Sequence, residues 1–213
     1  MGANDNSIVT VTVGDVDLEG ELLVPEGATG LVLFAHGSGS SRHSPRNNFV
    51  AERVRARGVG TLLFDLLTEA EDETYETRFD ISLLTDRLVG ATKWVRQRDD
   101  TADLNIGYFG SSTGSAAALR GAARPETDIA AVVSRGGRVD MAEDVLGQVT
   151  APTLFIVGGN DHPVLEWNEE AYDMLAGEKS LKVIEGATHL FEEPGALESV
   201  ADHAGEWFAE ELR

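Results

Sequence analysis

The chain reads LNIGYFGSSTGSAAAL over residues 104–119, and no other stretch says more about its architecture. An apolar run is followed by Gly110-Ser111-Ser112-Thr113-Gly114 and then by a run of small residues. This G-x-S-x-G pattern is typical of a strand, a sharp turn and a helix, with the central serine hydroxyl exposed at the turn. The two glycines tolerate the backbone angles and close packing of such a turn. The stretch predicts a strand–helix unit with Ser112 as a candidate nucleophile, although a purely structural turn could show the same pattern.

Strand and helix patterns alternate along most of the chain. Residues 7–13 and 16–24 alternate apolar and polar side chains around Gly14-Asp15, which predicts an antiparallel β-hairpin. Further strands are predicted at 31–35, 60–67, 105–109, 129–134, 153–157 and 181–184, and helices at 47–57, 81–98, 113–123, 140–146, 165–175 and 196–212. The acidic stretch 68–77 is predicted to be a loop. This order predicts one α/β domain over residues 1–213, with a mostly parallel sheet, helices on both faces and no lid domain.

The composition is strongly acidic and free of cysteine. The 213 residues include 37 Asp and Glu against 17 Lys and Arg, which gives a net charge of −20. Such a charge disfavours nucleic acid and anionic membranes as partners. The lack of cysteine excludes disulfides, thiolate catalysis and cysteine-ligated metals. The acid-rich, lysine-poor balance is typical of proteins adapted to a high-salt cytoplasm, where salt screens the repulsion. An acidic protein from an ordinary cytoplasm is the alternative.

The compartment and the ligands are predicted from signals that the sequence lacks. Residues 1–7 are polar, without a basic segment that leads into an apolar one, and no apolar run approaches the roughly 20 residues that span a bilayer. We therefore expect a cytoplasmic protein. No spacing of histidines and carboxylates indicates a metal site. We expect no cofactor, a small-molecule substrate that could be anionic, and a monomer or small homo-oligomer.

Candidate catalytic residues follow the carboxyl ends of the predicted strands, which meet at one edge of a parallel sheet. A serine nucleophile needs a neighbouring base and an acid that orients that base. Ser112, Asp161 and His189 follow separate strands and supply these groups in that order. Asp140 is an alternative acid, and either aspartate could instead cap a helix. His162, next to Asp161, is the competing base.

Oxyanion stabilisation requires backbone N–H donors near the serine. One donor is predicted at Thr113, the residue after the nucleophile. The second is predicted in the loop after residues 31–35, at the N–H of Ser38 or Gly37. A flexible turn is one alternative interpretation of this glycine-rich loop. A phosphate-binding loop is another, but the Gly-Lys-Ser/Thr ending of such loops is missing here. His36, which begins the loop, is predicted to be structural.

Four arginines lie on the two loops that flank the candidate site. They are Arg42, Arg46, Arg135 and Arg138. In an acidic chain, arginines at this edge could bind a carboxylate or phosphate group of a substrate. The alternative is that they pair with neighbouring acids and shape the loops.

Four motifs together resemble a known superfamily. They are FAHGSG at 34–39, GYFGSSTG at 107–114, GGND at 158–161 and GATHLF at 186–191. The chain resembles a small, lidless member of the α/β-hydrolase superfamily, near the dienelactone hydrolase family. This resemblance implies a three-layer α/β-hydrolase fold and hydrolysis of a small carboxylic ester or lactone. Dienelactone hydrolases proper use a cysteine nucleophile, where this chain has Ser112.

Other activities remain open at this point. The same fold could carry out another acyl transfer, peptide hydrolysis or C–C bond hydrolysis. A non-catalytic binding protein on a hydrolase scaffold is an alternative of a different class. It would have no need to keep a nucleophile, an acid, a base and an oxyanion loop together.

Overall fold

A computed structural model of the chain describes residues 7–213, and residues 1–6 of the polar N-terminal segment lie outside the described part. An eight-stranded sheet in this part has the order β1-β2-β4-β3-β5-β6-β7-β8. The strands are β1 Ser7–Val13, β2 Val16–Leu23, β3 Gly30–Ala35, β4 Gly60–Phe64, β5 Asn105–Ser111, β6 Ile129–Arg135, β7 Thr153–Gly158 and β8 Lys179–Ile184. β2 is antiparallel to both of its neighbours, β1 and β4, and every further pair along the sheet, from β4–β3 to β7–β8, is parallel. The predicted hairpin and mostly parallel sheet are confirmed.

Helices cover both faces of the sheet. They are α1 Pro45–Arg55, α2 Glu69–Asp72, α3 Tyr75–Arg78, α4 Ile81–Arg96, α5 Thr113–Ala122, α6 His162–Met174 and α7 Ala196–Glu211, with 3₁₀ segments at Pro125–Thr127 and Val139–Gln148. Successive side chains of a strand point to opposite faces. On β3, Leu31 and Leu33 pack with α4 and α5, whereas Val32 and Phe34 pack with α1 and α7. The central strands are buried on both faces, which explains their continuous apolar runs.

The prediction of a loop at residues 68–77 is wrong. Two one-turn helices, α2 and α3, occupy most of this stretch. The Thr68 hydroxyl accepts a hydrogen bond from the Glu71 N–H at 3.3 Å, and the Glu71 carboxylate accepts one from the Thr68 N–H at 2.9 Å. This reciprocal capping box, together with acidic residues near the helix N-terminus, stabilises α2 despite its many like charges.

Helix ends shift by up to three residues from their predicted positions. α1 begins at Pro45 because the Ser44 side chain caps it and proline is favoured in the first turn. α6 begins at His162, three residues earlier than predicted, with Pro163 in its first turn. Within residues 7–213, no helix combines the length and apolar character needed to cross a bilayer.

Candidate active site

Ser112 lies on the sharp turn that joins β5 to α5. Its backbone angles are φ 52° and ψ −120°, a region that L-residues rarely adopt. A Cβ atom at Gly110 would overlap the backbone of Ser115, and one at Gly114 would overlap the carbonyl oxygen of Ala35. The glycines of G-x-S-x-G are therefore required by close packing. The predicted strand, turn and helix are present, and the serine side chain is partly exposed at the turn.

The end of β6 holds the backbone of this serine. The Ser112 N–H donates to the Arg135 carbonyl at 3.2 Å, and the Arg138 N–H donates to the Ser112 carbonyl at 3.0 Å. The Arg-Gly-Gly-Arg segment, residues 135–138, is in turn held by a hydrogen bond from α6. There the Asn168 side-chain amide donates to the Gly137 carbonyl at 3.0 Å. Asn168 was not among the residues selected from the sequence. The one signal that could have indicated it is its position as a polar residue on the apolar face of α6.

Asp161 and His189 form a close side-chain pair. Asp161 Oδ2 lies 2.6 Å from His189 Nδ1, and the two side chains are 13% and 38% exposed. Asp161 stands at the start of α6, yet its side chain makes no capping hydrogen bond there. With Nδ1 directed at the carboxylate, the imidazole can present Nε2 as a proton acceptor.

The competing acid and base lie elsewhere. Both carboxylate oxygens of Asp140 accept hydrogen bonds from the Arg138 guanidinium at 2.9 Å. His162 is exposed at the first position of α6. Of the candidate acids and bases, the structure therefore brings Asp161 and His189 together.

Gly136 connects the serine side of the site to the imidazole side. It has a φ of +53°, and a Cβ atom there would lie 3.4 Å from both Nδ1 and Cε1 of His189. Its neighbour Arg135 holds the Ser112 backbone. One short segment thus runs beside both the serine turn and the His189 ring.

The loop after β3 also packs against the serine turn. A Cβ atom at Gly37 would lie 3.1 Å from the Ser112 Cβ, so the α-carbon of Gly37 packs closely on the serine. The Ser38 N–H donates to the Thr113 hydroxyl at 2.9 Å. This contact joins two predicted oxyanion residues, and no pattern in the sequence indicates it. Thr113 is the first residue of α5, where a backbone N–H has no partner within the helix.

His36 has structural contacts on both ring nitrogens. Its Nε2 accepts a hydrogen bond from the Leu66 N–H at 3.0 Å, and its Nδ1 lies 3.0 Å from the Gly37 carbonyl oxygen. Burial lowers the pKa of His36 below its usual value of 6.5. The neutral ring with a proton on Nδ1 satisfies both contacts, and it ties the β3 loop to the end of β4.

Two of the four candidate arginines pair with local acids. The guanidinium of Arg42 contacts the Asp65 carboxylate and lies 2.5 Å from a carboxylate oxygen of Glu19. Arg138 pairs with Asp140, and its guanidinium carbon lies 4.8 Å from the ring centre of Trp167. These contacts agree with the structural alternative for both residues.

The other two arginines are differently placed. Arg46 is 3.5 Å from a carboxylate oxygen of Glu192, a residue whose side chain is 68% exposed. Arg135 is buried, and its Nη1 has no hydrogen-bond partner among residues 7–213. The structure therefore separates Arg42 and Arg138, which pair closely with carboxylates, from the other two. Of these, Arg46 has one long contact, and Arg135 Nη1 has no partner in the described part of the chain.

Comparison with solved structures establishes the family. A dienelactone hydrolase from Anabaena variabilis is 56% identical to the chain with a TM-score of 0.95, and the match covers 97% of this chain and 98% of that one. The chain belongs to the dienelactone hydrolase-like α/β-hydrolases. No family model matches the chain.

More distant structures share the fold of this α/β-hydrolase. Est1E from Butyrivibrio proteoclasticus is 17% identical with a TM-score of 0.82, and the match covers 96% of this chain and 98% of that one. An esterase from Pyrococcus furiosus is 20% identical with a TM-score of 0.79, over 97% of this chain and 91% of that one. At these identities the likeness shows the architecture alone.

Curated relatives have a different name. Proteins from two strains of Mycobacterium tuberculosis, both provisionally named phosphoribosyl transferase, are 55% identical over 204 residues. The match covers 96% of this chain and 46% of each relative. The chain therefore spans about half the length of these relatives.

Proposed function

We propose that the chain is a serine hydrolase that cleaves a small carboxylic ester or lactone. The observation that carries this proposal is the 2.6 Å contact between Asp161 and His189, joined through the 135–138 segment to the strained turn at Ser112. Family membership supports the hydrolase class. The serine turn and the acid–base pair support the reaction type.

The proposed reaction begins with attack of the Ser112 hydroxyl on the substrate carbonyl. His189 Nε2 takes the serine proton, while Nδ1–H stays directed at Asp161, whose charge stabilises the imidazolium. Collapse of the tetrahedral intermediate expels the alcohol, which receives the proton from His189, and leaves an acyl-serine. A water molecule, activated by the same histidine, then releases the acid and restores the serine.

Two backbone N–H groups are proposed to stabilise the negative oxygen of the tetrahedral intermediates. The first is that of Thr113, at the positive end of the α5 dipole. The Ser38 N–H already donates to the Thr113 hydroxyl. We therefore assign the second donor to Gly37, whose α-carbon packs on Ser112. The Thr113 hydroxyl would then hold the loop in position.

The name of the Mycobacterium relatives does not displace this proposal. Since the chain matches 46% of their length, a phosphoribosyl transferase activity could belong to the part that this chain does not match. Acyl transfer, peptide hydrolysis and C–C bond hydrolysis would use the same serine, so the first experiment tests the nucleophile.

A fluorophosphonate probe tests the proposed nucleophile directly, because it reacts with activated serines. We expect labelling of the wild type and complete loss of labelling in Ser112→Ala. Ser111→Ala is the matched control, since Ser111 precedes the nucleophile and is 3% exposed, and it should still be labelled. Labelling that persists in Ser112→Ala would exclude this nucleophile. An absence of labelling from low to molar KCl would favour a binding protein.

A further inference from the structure

Asn168 is a fully buried polar residue on the apolar face of α6. Its side-chain amide donates to the carbonyl of Val164, one turn earlier in the same helix, at 2.7 Å, and to the Gly137 carbonyl at 3.0 Å. Its Oδ1 has no hydrogen-bond partner in the part of the chain that the structure describes. A buried amide with an unpaired oxygen is unfavourable, and the two donated bonds must offset this cost. The bond to Gly137 is the one that connects α6 to another part of the fold.

The segment that receives this bond contains two successive glycines and is intrinsically flexible. Gly136 has a φ of +53°. A Cβ atom at Gly137 would lie 2.1 Å from the Ser134 hydroxyl oxygen and 2.8 Å from that of Ser115, so its α-carbon packs closely against both. Neither hydroxyl has a hydrogen-bond partner within the described residues. These contacts therefore limit the position of Gly137, whereas the Asn168 amide sets the direction of its carbonyl.

Gly137 and Arg138 share one planar peptide unit, which transmits the orientation of its carbonyl to its N–H. In a trans unit the two bonds point in opposite directions, and this unit is trans. Asn168 holds the carbonyl end, and the N–H end donates to the Ser112 carbonyl at 3.0 Å. The Asn168 amide thus determines where the Arg138 N–H points, and it acts through that N–H on the backbone of the proposed nucleophile.

A second peptide unit continues this chain of hydrogen bonds to the proposed oxyanion donor. The Ser112 carbonyl and the Thr113 N–H belong to one trans unit, so a donor that fixes the carbonyl also fixes the opposite direction of the N–H. The Ser112 carbonyl also accepts a bond from the Ser115 N–H at 3.1 Å, but that donor belongs to α5 itself. The Arg138 N–H holds the carbonyl from outside α5. Aligned hydrogen bonds polarise one another, which makes the Thr113 N–H a stronger donor.

We propose that Asn168 is a positioning residue that orients the Thr113 N–H toward the oxyanion through these two peptide units. This assignment rests on the proposed hydrolase function. When Ser112 attacks, its oxygen bonds to the substrate carbonyl carbon, its proton passes to His189, and the carbonyl oxygen becomes the oxyanion. The Thr113 N–H is needed most at that point. Loss of the Asn168 amide should therefore weaken binding of the transition state much more than binding of the substrate.

A matched pair of ketones tests this difference. Ser112 adds to a short-chain trifluoromethyl ketone to form an oxyanion, whereas the methyl ketone of the same chain binds without addition. Both are measured as inhibitors of p-nitrophenyl butyrate hydrolysis by the wild type, Asn168→Leu and Asn168→Ala. Leucine keeps the branched shape of the side chain, and alanine cannot crowd the neighbouring segment.

The expected effect is a part of the roughly 10²–10³-fold loss that follows removal of a whole oxyanion donor. In both Asn168 variants, Ki for the trifluoromethyl ketone should rise about 10–100-fold, and kcat/KM should fall by the same factor. Ki for the methyl ketone should stay within about threefold of the wild-type value, because this ligand forms no oxyanion. A residue that only stabilises the fold would not separate the two ketones.

Thr127→Val is the matched control for the loss of a buried donor. The Thr127 hydroxyl is buried and donates to the backbone carbonyls of Gly121 and Arg124. Thr127 precedes β6, at the edge of the sheet opposite to the serine turn. This variant should keep Ki for the trifluoromethyl ketone within about twofold of the wild-type value. An increase as large as that of the Asn168 variants would indicate a general loss of stability and would overturn the assignment.

The remaining outcomes separate this assignment from the proposed function. Inhibition is measured on variants that melt above the assay temperature, and Asn168→Ala serves if Asn168→Leu does not fold. Unchanged inhibition by the trifluoromethyl ketone, or equal weakening of both ketones, would remove the role of Asn168 while the wild type still reacts with fluorophosphonate. If the wild type reacts with neither fluorophosphonate nor the trifluoromethyl ketone, the proposed function itself fails, and the role of Asn168 fails with it.

Discussion

Two substitutions at Ser112 can measure the strain in the serine turn. Ser112→Ala and Ser112→Gly both remove the hydroxyl, but only glycine removes the Cβ that makes φ 52° and ψ −120° unfavourable. The difference between their free energies of unfolding therefore reports the backbone strain. The chemistry of the serine cancels from this difference.

The expected magnitude follows from two opposing terms. A non-glycine residue in such a region costs about 1–3 kcal/mol, which glycine recovers. Glycine loses more backbone entropy on folding, which costs about 0.5–1 kcal/mol relative to alanine. The balance makes Ser112→Gly more stable than Ser112→Ala by about 1 kcal/mol, or about 2–4 °C in Tm for a chain of this length.

Urea denaturation in molar KCl measures the difference, with circular dichroism as the probe. Ser115 provides the matched control, because it is helical and lies three residues further along in α5. There the order should reverse, with Ser115→Gly less stable than Ser115→Ala by about 1 kcal/mol. If glycine destabilises position 112 as much as position 115, the serine turn stores no strain.

Three further predictions concern the acid–base pair, the buried histidine and the net charge. Asp161→Asn should lower kcat about 10³–10⁴-fold with little change in KM and Tm, because the amide no longer orients and stabilises the protonated His189; a loss below about tenfold in steady-state assays would argue against the pair. The lowered pKa of His36 means that the unfolded chain binds more protons, so stability should fall as the pH drops below 6.5 toward the folded pKa. A urea midpoint that stays constant across this interval, or that falls just as steeply in a folded His36→Gln variant, would contradict this role of His36. With a net charge of −20, the Tm should rise as KCl increases from low to molar concentration, and a flat or falling Tm would remove the high-salt hypothesis.

The fold was predictable because its main signals are local. The continuous apolar runs of β3 and β7 reflect strands buried on both faces, and the alternation in β1 and β2 reflects a hairpin at the edge of the sheet. The candidate acid and base could be chosen because strand ends converge at one edge of a parallel sheet. This rule places Asp161 and His189 near each other without any knowledge of side-chain geometry.

Other features depend on contacts that a linear pattern does not contain. The loop at residues 68–77 was predicted from its acidic composition. The capping box between Thr68 and Glu71 depends instead on the three-residue spacing of these two side chains. The hydrogen bond from Ser38 to Thr113 joins residues 75 positions apart. For the arginines, the sequence indicated a basic spot. Only the structure separates Arg138, which pairs with Asp140, from Arg135, whose Nη1 has no hydrogen-bond partner in the described part of the chain.

The outermost position of β8 has a consequence for how the protein would lose activity. Within residues 7–213 this strand pairs with β7 alone, and Val183 on it is 46% exposed. The segments that carry Asp161 and His189 extend from the ends of these two strands. Strands with little buried surface open locally at a lower free energy than the whole domain, and amide hydrogen exchange detects such opening. Local unfolding of β8 would separate the acid from the base while the centre of the sheet stays folded. The rate of heat inactivation would then depend on the stability of this edge strand rather than on that of the whole domain.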